Sequence, residues 1–103
     1  MKKCCDLKGF LSFQVLRLIK QQSRSGDEIR EELERRRGTK PSPGTIYPVL
    51  KELKKNGWIE EIESPGKEKK YRITQKGKRE LENTTKKFIA LCCELKEDFD
   101  RIG

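Results

Sequence analysis

The stretch that decides the fold is SPGTIYPVLKELKKNGW, residues 42–58. Its apolar side chains recur at the spacing of one helix face, at Ile46, Val49, Leu50 and Leu53. Ser42 and Pro43 are typical of the first positions of a helix, and Gly57 is typical of the position after its end. The stretch therefore predicts a helix from Pro43 to about Asn56.

Two residues of this helix, Gly44 and Pro48, belong to types that weaken helices. Pro48 lacks the N–H that would bond to the carbonyl of Gly44, which predicts a bend after the first turn. Gly44 has no side chain and allows the backbone to approach a phosphate closely. Both features suit the N-terminal end of a helix that enters a DNA major groove. A poor helix held by packing alone is the alternative.

The flanking sequence predicts two helices before this one. FLSFQVLRLIKQQ (10–22) has apolar residues on two faces, which suits packing on its own core and on a partner subunit. DEIREELERRR (27–37) follows, with Ser25 or Asp27 as its cap and Gly38 as its stop. Only Ile29 and Leu33 are expected to be buried in it.

Two strands and a long helix follow. WIEEIE (58–63) and KKYRI (69–73) are predicted strands joined by the turn SPGK (64–67). Thr74 is expected to cap a helix that runs from Gln75 nearly to the end of the chain. The fold class is thus mainly α (α+β): a winged helix-turn-helix with a two-stranded wing and a long C-terminal helix.

The amino-acid composition indicates which classes of function to expect. The 103 residues include no histidine and carry a net charge of +8. The net charge is +6 over residues 38–79 and −2 over residues 80–103, so the middle of the chain is expected to face a polyanion. Phosphate-binding loops, dinucleotide motifs and nucleophile–base pairs are not found. We therefore expect no enzyme and no cofactor. The sequence shows neither a membrane span nor a signal peptide, and we expect a cytoplasmic protein.

The exposed face of helix 43–56 and the basic wing are the candidate DNA-binding surfaces. Lysines of the helix are expected to meet phosphates, whereas Thr45 and Tyr47 lie early enough to touch base edges. Strand alternation leaves open whether Lys69 and Tyr71 or Lys70 and Arg72 face DNA. A solvated surface is the alternative for each single residue. The candidate DNA-binding residues are Lys40, Ser42, Pro43, Gly44, Thr45, Tyr47, Lys51, Lys54, Lys67, Lys69, Lys70 and Arg72.

The last helix carries a heptad seam, defined here as Leu81, Thr85, Phe88, Cys92, Leu95, Phe99 and Ile102. Spacings of four and three over three repeats are typical of a coiled-coil contact, although the stripe could also dock on the chain's own core. A homodimer is expected because this helix is longer than docking requires. The candidate dimerisation residues are Phe10, Phe13, Leu81, Phe88, Cys92, Leu95, Phe99 and Ile102.

The four cysteines form two adjacent pairs, Cys4–Cys5 and Cys92–Cys93. This spacing does not match a zinc motif. A thiolate cluster that binds metal or forms disulfides, and inert cysteines, are both open interpretations.

The chain resembles the PadR family of winged-helix transcriptional regulators. The segments that carry the resemblance are LKGFLSFQVLRLI (7–19), SGDEI (25–29), SPGTIYPVL (42–50), LKKNGWIE (53–60) and KYRITQKGKREL (70–81). The resemblance implies a homodimeric, usually repressing protein that binds double-stranded DNA. It implies DNA contacts at Ser42, Thr45, Tyr47 and the wing.

Two departures from the family pattern are visible. SGDEI stands where the family often has His-Gly-Tyr-Glu-Ile, so the aromatic anchor of that helix is missing. Some relatives bind flat aromatic ligands with a tryptophan of the C-terminal region, but the only Trp here is Trp58, so this ligand class is not expected.

We therefore expect a winged-helix DNA-binding domain over residues 1–74 and a dimerisation helix over 75–103. The expected activity is sequence-specific repression at a palindromic operator, with an unidentified small-molecule, metal or redox effector. The alternatives are a winged helix that serves as a protein-interaction module, a cysteine-based metal or redox sensor, and an RNA-binding protein.

Overall fold

The structure, a computed structural model, describes residues 7–63, 65–66 and 68–102. Four helices and three short strands follow one another along the chain. In chain order they are α1 (Leu7–Gln21), β1 (Arg24–Ser25), α2 (Gly26–Arg37), α3 (Pro43–Lys55), β2 (Ile59–Ile62), β3 (Lys70–Ile73) and α4 (Gln75–Ile102). This order confirms the predicted winged helix. Within the described ranges, no helix is both long and apolar enough to cross a membrane.

The core lies where α1, α2 and α3 meet the sheet and the start of α4. The apolar stripe predicted for α3 is confirmed, since Ile46, Val49, Leu50 and Leu53 are all buried. Helix α2 contributes Ile29 and Leu33, as predicted. The core also contains Val15, Leu16, Leu18, Ile19, Ile59, Tyr71 and Leu81.

Helix α2 is fixed at both ends by its own sequence. Of the two predicted caps, Ser25 is the one used: its Oγ accepts from the Glu28 N–H at 3.2 Å, and the Ser25 N–H donates to Glu28 Oε1 at 2.8 Å. At the other end Gly38 adopts a φ of 80°, which glycine reaches without strain. This capping box, together with the burial of Ile29 and Leu33, anchors α2 without the aromatic residue of the family pattern.

The two predicted strands of the wing, β2 and β3, are confirmed, and in the described residues a third strand, β1, joins them in one sheet. Strand β3 lies between β1 and β2 and is antiparallel to both. The SRSG stretch, expected to be only a break between helices, pairs Arg24 with Tyr71 and Ser25 with Lys70. Arg24 Nε also donates to the carbonyl of Leu18 at 3.0 Å, which ties this short strand to the end of α1. Two residues are too few to show strand periodicity, so only tertiary pairing creates β1.

Helix α4 begins against the sheet. As predicted, Thr74 caps it, with Oγ1 accepting from the Gly77 N–H at 3.0 Å. Gly77 is buried against the backbone of Trp58, just before β2: a β-carbon built on it would lie 2.1 Å from the carbonyl oxygen of Trp58. The first turn of α4 therefore packs directly on the backbone at the start of the wing.

The distal part of α4 extends away from the core, and the molecule measures 54 × 30 × 21 Å. Phe88 is the last aromatic residue of this helix that packs on α1, with its ring centroid 4.6 Å from that of Phe13 and 5.7 Å from that of Phe10. Further along, Leu95 and Phe99 are 56% and 73% exposed. Among the described side chains, the chain's own core thus covers the seam as far as Phe88, whereas Leu95 and Phe99 are uncovered.

Candidate nucleic-acid interface

Helix α3 separates its buried stripe from a polar, exposed face. This face contains Thr45, Tyr47, Pro48, Lys51, Lys54 and Lys55, all of them exposed as expected. The helix is continuous across Pro48. An exposed helix face with both hydrogen-bonding and basic side chains is suited to contact base edges at one end and phosphates at the other.

The N-terminal end of α3 is open. Ser42 occupies the N-cap position, but within residues 42–55, all of which are described, its side chain makes no capping hydrogen bond. Its hydroxyl instead lies 3.2 Å from that of Thr45. Ser42 is thus the N-cap residue, as the sequence indicated, but its hydroxyl pairs with the Thr45 hydroxyl and not with a backbone N–H of the helix. A β-carbon on Gly44 would meet only Ser42 Oγ, at 3.8 Å. Two hydroxyls and an uncrowded backbone are thus available to an anion.

Tyr47 lies at the edge of this surface and is 43% exposed. The hydroxyl end of its ring packs against Gly26, the first residue of α2. Tyr47 and Tyr71 of β3 both line a small cavity beside the start of α2. Burial, followed by the nearby Glu61 carboxylate, raises the pKa of Tyr71, so its hydroxyl stays neutral.

Several of the candidate cations are paired with carboxylates of their own chain. Lys54 Nζ lies 2.8 Å from Glu61 Oε2, and this contact raises the pKa of Lys54 and lowers that of Glu61. Arg72 pairs with Glu60 across the β2–β3 ladder. These carboxylates reduce the positive charge of α3 and of the wing, and the sequence alone did not indicate them as part of the site.

The two faces of strand β3 differ in burial. Tyr71 is buried in the core, and Lys70 is partly buried with Nζ 3.6 Å from Glu28 Oε2. Arg72 and Lys69 are exposed, and so are Lys40 and Lys51. Lys67 lies outside the described residues. Of the candidate cations that the structure describes, the exposed ones are therefore Lys40, Lys51, Lys54, Lys69 and Arg72, and two of these, Lys54 and Arg72, are paired with carboxylates.

The candidate dimerisation residues fall into two groups. Leu81 is in the core of its own chain, and Phe10, Phe13 and Phe88 form an aromatic cluster between α1 and α4. Leu95 and Phe99 are exposed, as is Cys92. The side chain of Ile102 lies outside the described residues.

Cys92 and Cys93 are free, exposed thiols on α4, whereas Cys4 and Cys5 lie outside the described residues. In the part of the chain that the structure describes, no three side chains of the His, Cys, Asp and Glu types are grouped to hold a metal ion. A thiolate cluster formed by the two cysteine pairs therefore stays a prediction.

Solved structures of similar proteins support this picture. The chain is 31% identical to a PadR-like transcriptional regulator from Bacillus cereus, with a TM-score of 0.81 over 90% of this chain and 94% of that one. It is 30% identical to a Streptococcus transcriptional regulator, with a TM-score of 0.79 over 87% and 92% of the two chains. A putative transcriptional regulator from Thermoplasma acidophilum, 24% identical over 89% and 91% of the chains with a TM-score of 0.76, shares the fold.

Sequence comparison agrees. An uncharacterized protein of Lysinibacillus sphaericus is 34% identical over 100 residues, which cover 91% of this chain and 88% of the relative. The model of the transcriptional regulator PadR-like family matches residues 15–83, a span that includes the core, α3 and the wing. The chain therefore belongs to the PadR-like family of winged-helix, DNA-binding transcriptional regulators.

Proposed function

We propose that the protein is a homodimeric repressor that binds a roughly palindromic operator in double-stranded DNA. The observation that carries this proposal is the two-sided character of α3, with four buried apolar residues on one face and an exposed face that begins at an open helix end. In this assignment residues 1–74 bind DNA and residues 75–103 dimerise. The protein acts in the cytoplasm, without catalysis.

The proposed role of each DNA-contacting residue of α3 follows from its position along the helix. Thr45 and Tyr47 lie in the first turns and meet base edges or nearby phosphates in the major groove. Lys51 lies one turn further along the helix and meets the phosphate backbone, as do Lys40 and the wing cations. In a two-fold symmetric dimer the two α3 helices enter successive major grooves, which sets half-sites about one helical turn apart.

Dimerisation is supported by the uncovered part of the heptad seam. Leu95 and Phe99 are among the exposed large apolar side chains of the described chain, and both lie on this seam. A partner's α4 packed against them would remove this apolar surface from water. A bound dimer would then repress by occupying promoter DNA.

Binding to two duplexes across a salt series tests the proposal. The duplexes are a segment of the protein's own promoter and a random sequence of equal length, measured by fluorescence anisotropy. We expect tighter promoter binding and a steep loss of affinity with salt, since each neutralised phosphate contributes a slope of about −0.9. Equal, salt-insensitive binding of both duplexes would contradict the proposal and favour a protein-interaction module.

Two substitutions separate base reading from phosphate contact. Tyr47→Ala should weaken promoter binding more than random-duplex binding. Lys51→Ala should weaken both alike and reduce the salt slope by about one. Lys86→Ala is the matched control, because it removes the same charge from an exposed position on α4.

A further inference from the structure

Gly26 and Tyr47 are packed against each other although they belong to different helices. Gly26 is buried as the first residue of α2, and a β-carbon built on it would lie 2.6 Å from both Cζ and Oη of Tyr47 and 2.8 Å from Cε1. Real β-carbons do not approach other atoms so closely. Any residue larger than glycine at position 26 would therefore displace the hydroxyl end of the Tyr47 ring.

Position 26 requires glycine because there is no space for a side chain, and not because of its backbone conformation. The glycines with positive φ in the described chain are Gly38 and Gly57, so Gly26 has a φ that alanine also adopts. Alanine is moreover the better helix former. A glycine is needed at the start of α2 because a ring occupies the position of its side chain.

The contact holds Tyr47 in a defined orientation. On another side the ring lines a cavity of about 160 Å³ between the start of α2 and β3, together with Ser25, Asp27 and Tyr71. The same ring is 43% exposed on the face of α3 proposed to read DNA. A side chain already held in place loses less rotamer freedom when it binds.

We infer that Gly26 is a positioning residue for DNA recognition: by leaving room for the Tyr47 ring against α2, it sets the orientation in which Tyr47 meets the operator and so contributes to sequence specificity. The inference rests on the proposed function, since it takes Tyr47 as a DNA-contacting residue. Gly26 itself does not touch DNA in this assignment.

A double-mutant cycle between Gly26→Ala and Tyr47→Ala tests it. In the wild-type background, Gly26→Ala should weaken promoter binding about tenfold while random-duplex binding and the salt slope change little. In the Tyr47→Ala background the same substitution should have almost no effect, because the colliding ring is absent. Glu34→Ala is the control on an exposed position of α2. Thermal unfolding of each variant reports whether it is folded.

NMR spectroscopy of the free protein tests the contact between Gly26 and Tyr47 without DNA. The α-protons of Gly26 should resonate upfield in NMR spectra of the free protein, because an aromatic ring lies against them. This shift should persist in Tyr47→Phe and vanish in Tyr47→Ala. If Gly26→Ala alone fails to fold, the double variant and Tyr47→Phe still supply the binding and NMR comparisons.

These experiments distinguish failure of the inference about Gly26 from failure of the proposed function. A wild-type protein that discriminates the two duplexes, with Gly26→Ala discriminating equally well, overturns this inference alone. An equal loss from Gly26→Ala in the presence and absence of Tyr47, or no change of the Gly26 shift in Tyr47→Ala, does the same. A wild-type protein that binds both duplexes alike overturns the proposed function, and the inference with it.

Discussion

Lys54 and Glu61 join the DNA-facing helix to the wing, with Lys54 Nζ 2.8 Å from Glu61 Oε2. Lys54 belongs to α3 and Glu61 to β2. The pair is exposed, so its contribution to stability is small. Its larger consequence is for binding, because the carboxylate competes with phosphate for the same cation.

Glu61→Gln should therefore tighten DNA binding a few-fold and steepen the salt dependence by about one counterion, since Lys54 becomes free to meet a phosphate. Anisotropy titrations across a salt series measure both. Glu63→Gln removes the same charge from an exposed residue near the same hairpin. An identical gain from both substitutions would show that overall charge, and not release of Lys54, is responsible.

The capping box of α2 predicts a pH dependence of stability. The Ser25 N–H bonded to Glu28 is the main cause that lowers the pKa of this carboxyl from its ordinary value of 4.5. The pKa of Glu28 is lower in the folded protein than in the unfolded chain. The ionised carboxylate therefore contributes fully to the free energy of unfolding above about pH 4.5, and this contribution is lost as the pH falls through the folded pKa. Glu28→Ala should cost about 1 kcal/mol at pH 7 and less at pH 3. Urea unfolding at the two pH values measures this, and a cost that does not depend on pH would contradict it.

Gly77 should tolerate no side chain. An added methyl group would collide with the Trp58 carbonyl oxygen at 2.1 Å and with Ile73 Cγ1 at 2.8 Å. We expect Gly77→Ala to lower the free energy of unfolding by about 1–3 kcal/mol, as overpacking does in other proteins. Gly44→Ala, which has room for its methyl group, should be neutral or stabilising. Equal stabilities of the two variants in urea would refute the predicted collision.

The proposed dimer depends on the exposed part of the heptad seam. Leu95→Asp and Phe99→Asp would place a charge in that contact and should weaken self-association by more than about tenfold, since a buried unpaired charge is costly. Sedimentation equilibrium measures the effect. Ala90→Asp is the control, because it introduces the same charge at an exposed position off the seam. Dimers unaffected by the two seam substitutions would place the interface elsewhere.

The sequence predicted which residues of α3 would be exposed, but not which side chains they would contact. Lys54 and Arg72 were read correctly as surface cations, yet their carboxylate partners come from β2. The pairing of Glu60 with Arg72 depends on the register of β2 against β3. An exact hairpin register would have indicated this pair, and the SPGK turn alone does not define one.

The amino-acid sequence by itself determined the order of the helices, the buried stripe of α3, the end of α2 at Gly38 and the cap of α4 at Thr74. These features depend on residues a few positions apart, whose periodicity and hydrogen bonding are local. The tertiary structure alone decided the two-residue strand β1, the ion pairs of the wing and the seating of Tyr47 against Gly26. Each of these joins residues distant in the chain, and the contact exists only because packing of the core brings their backbones together.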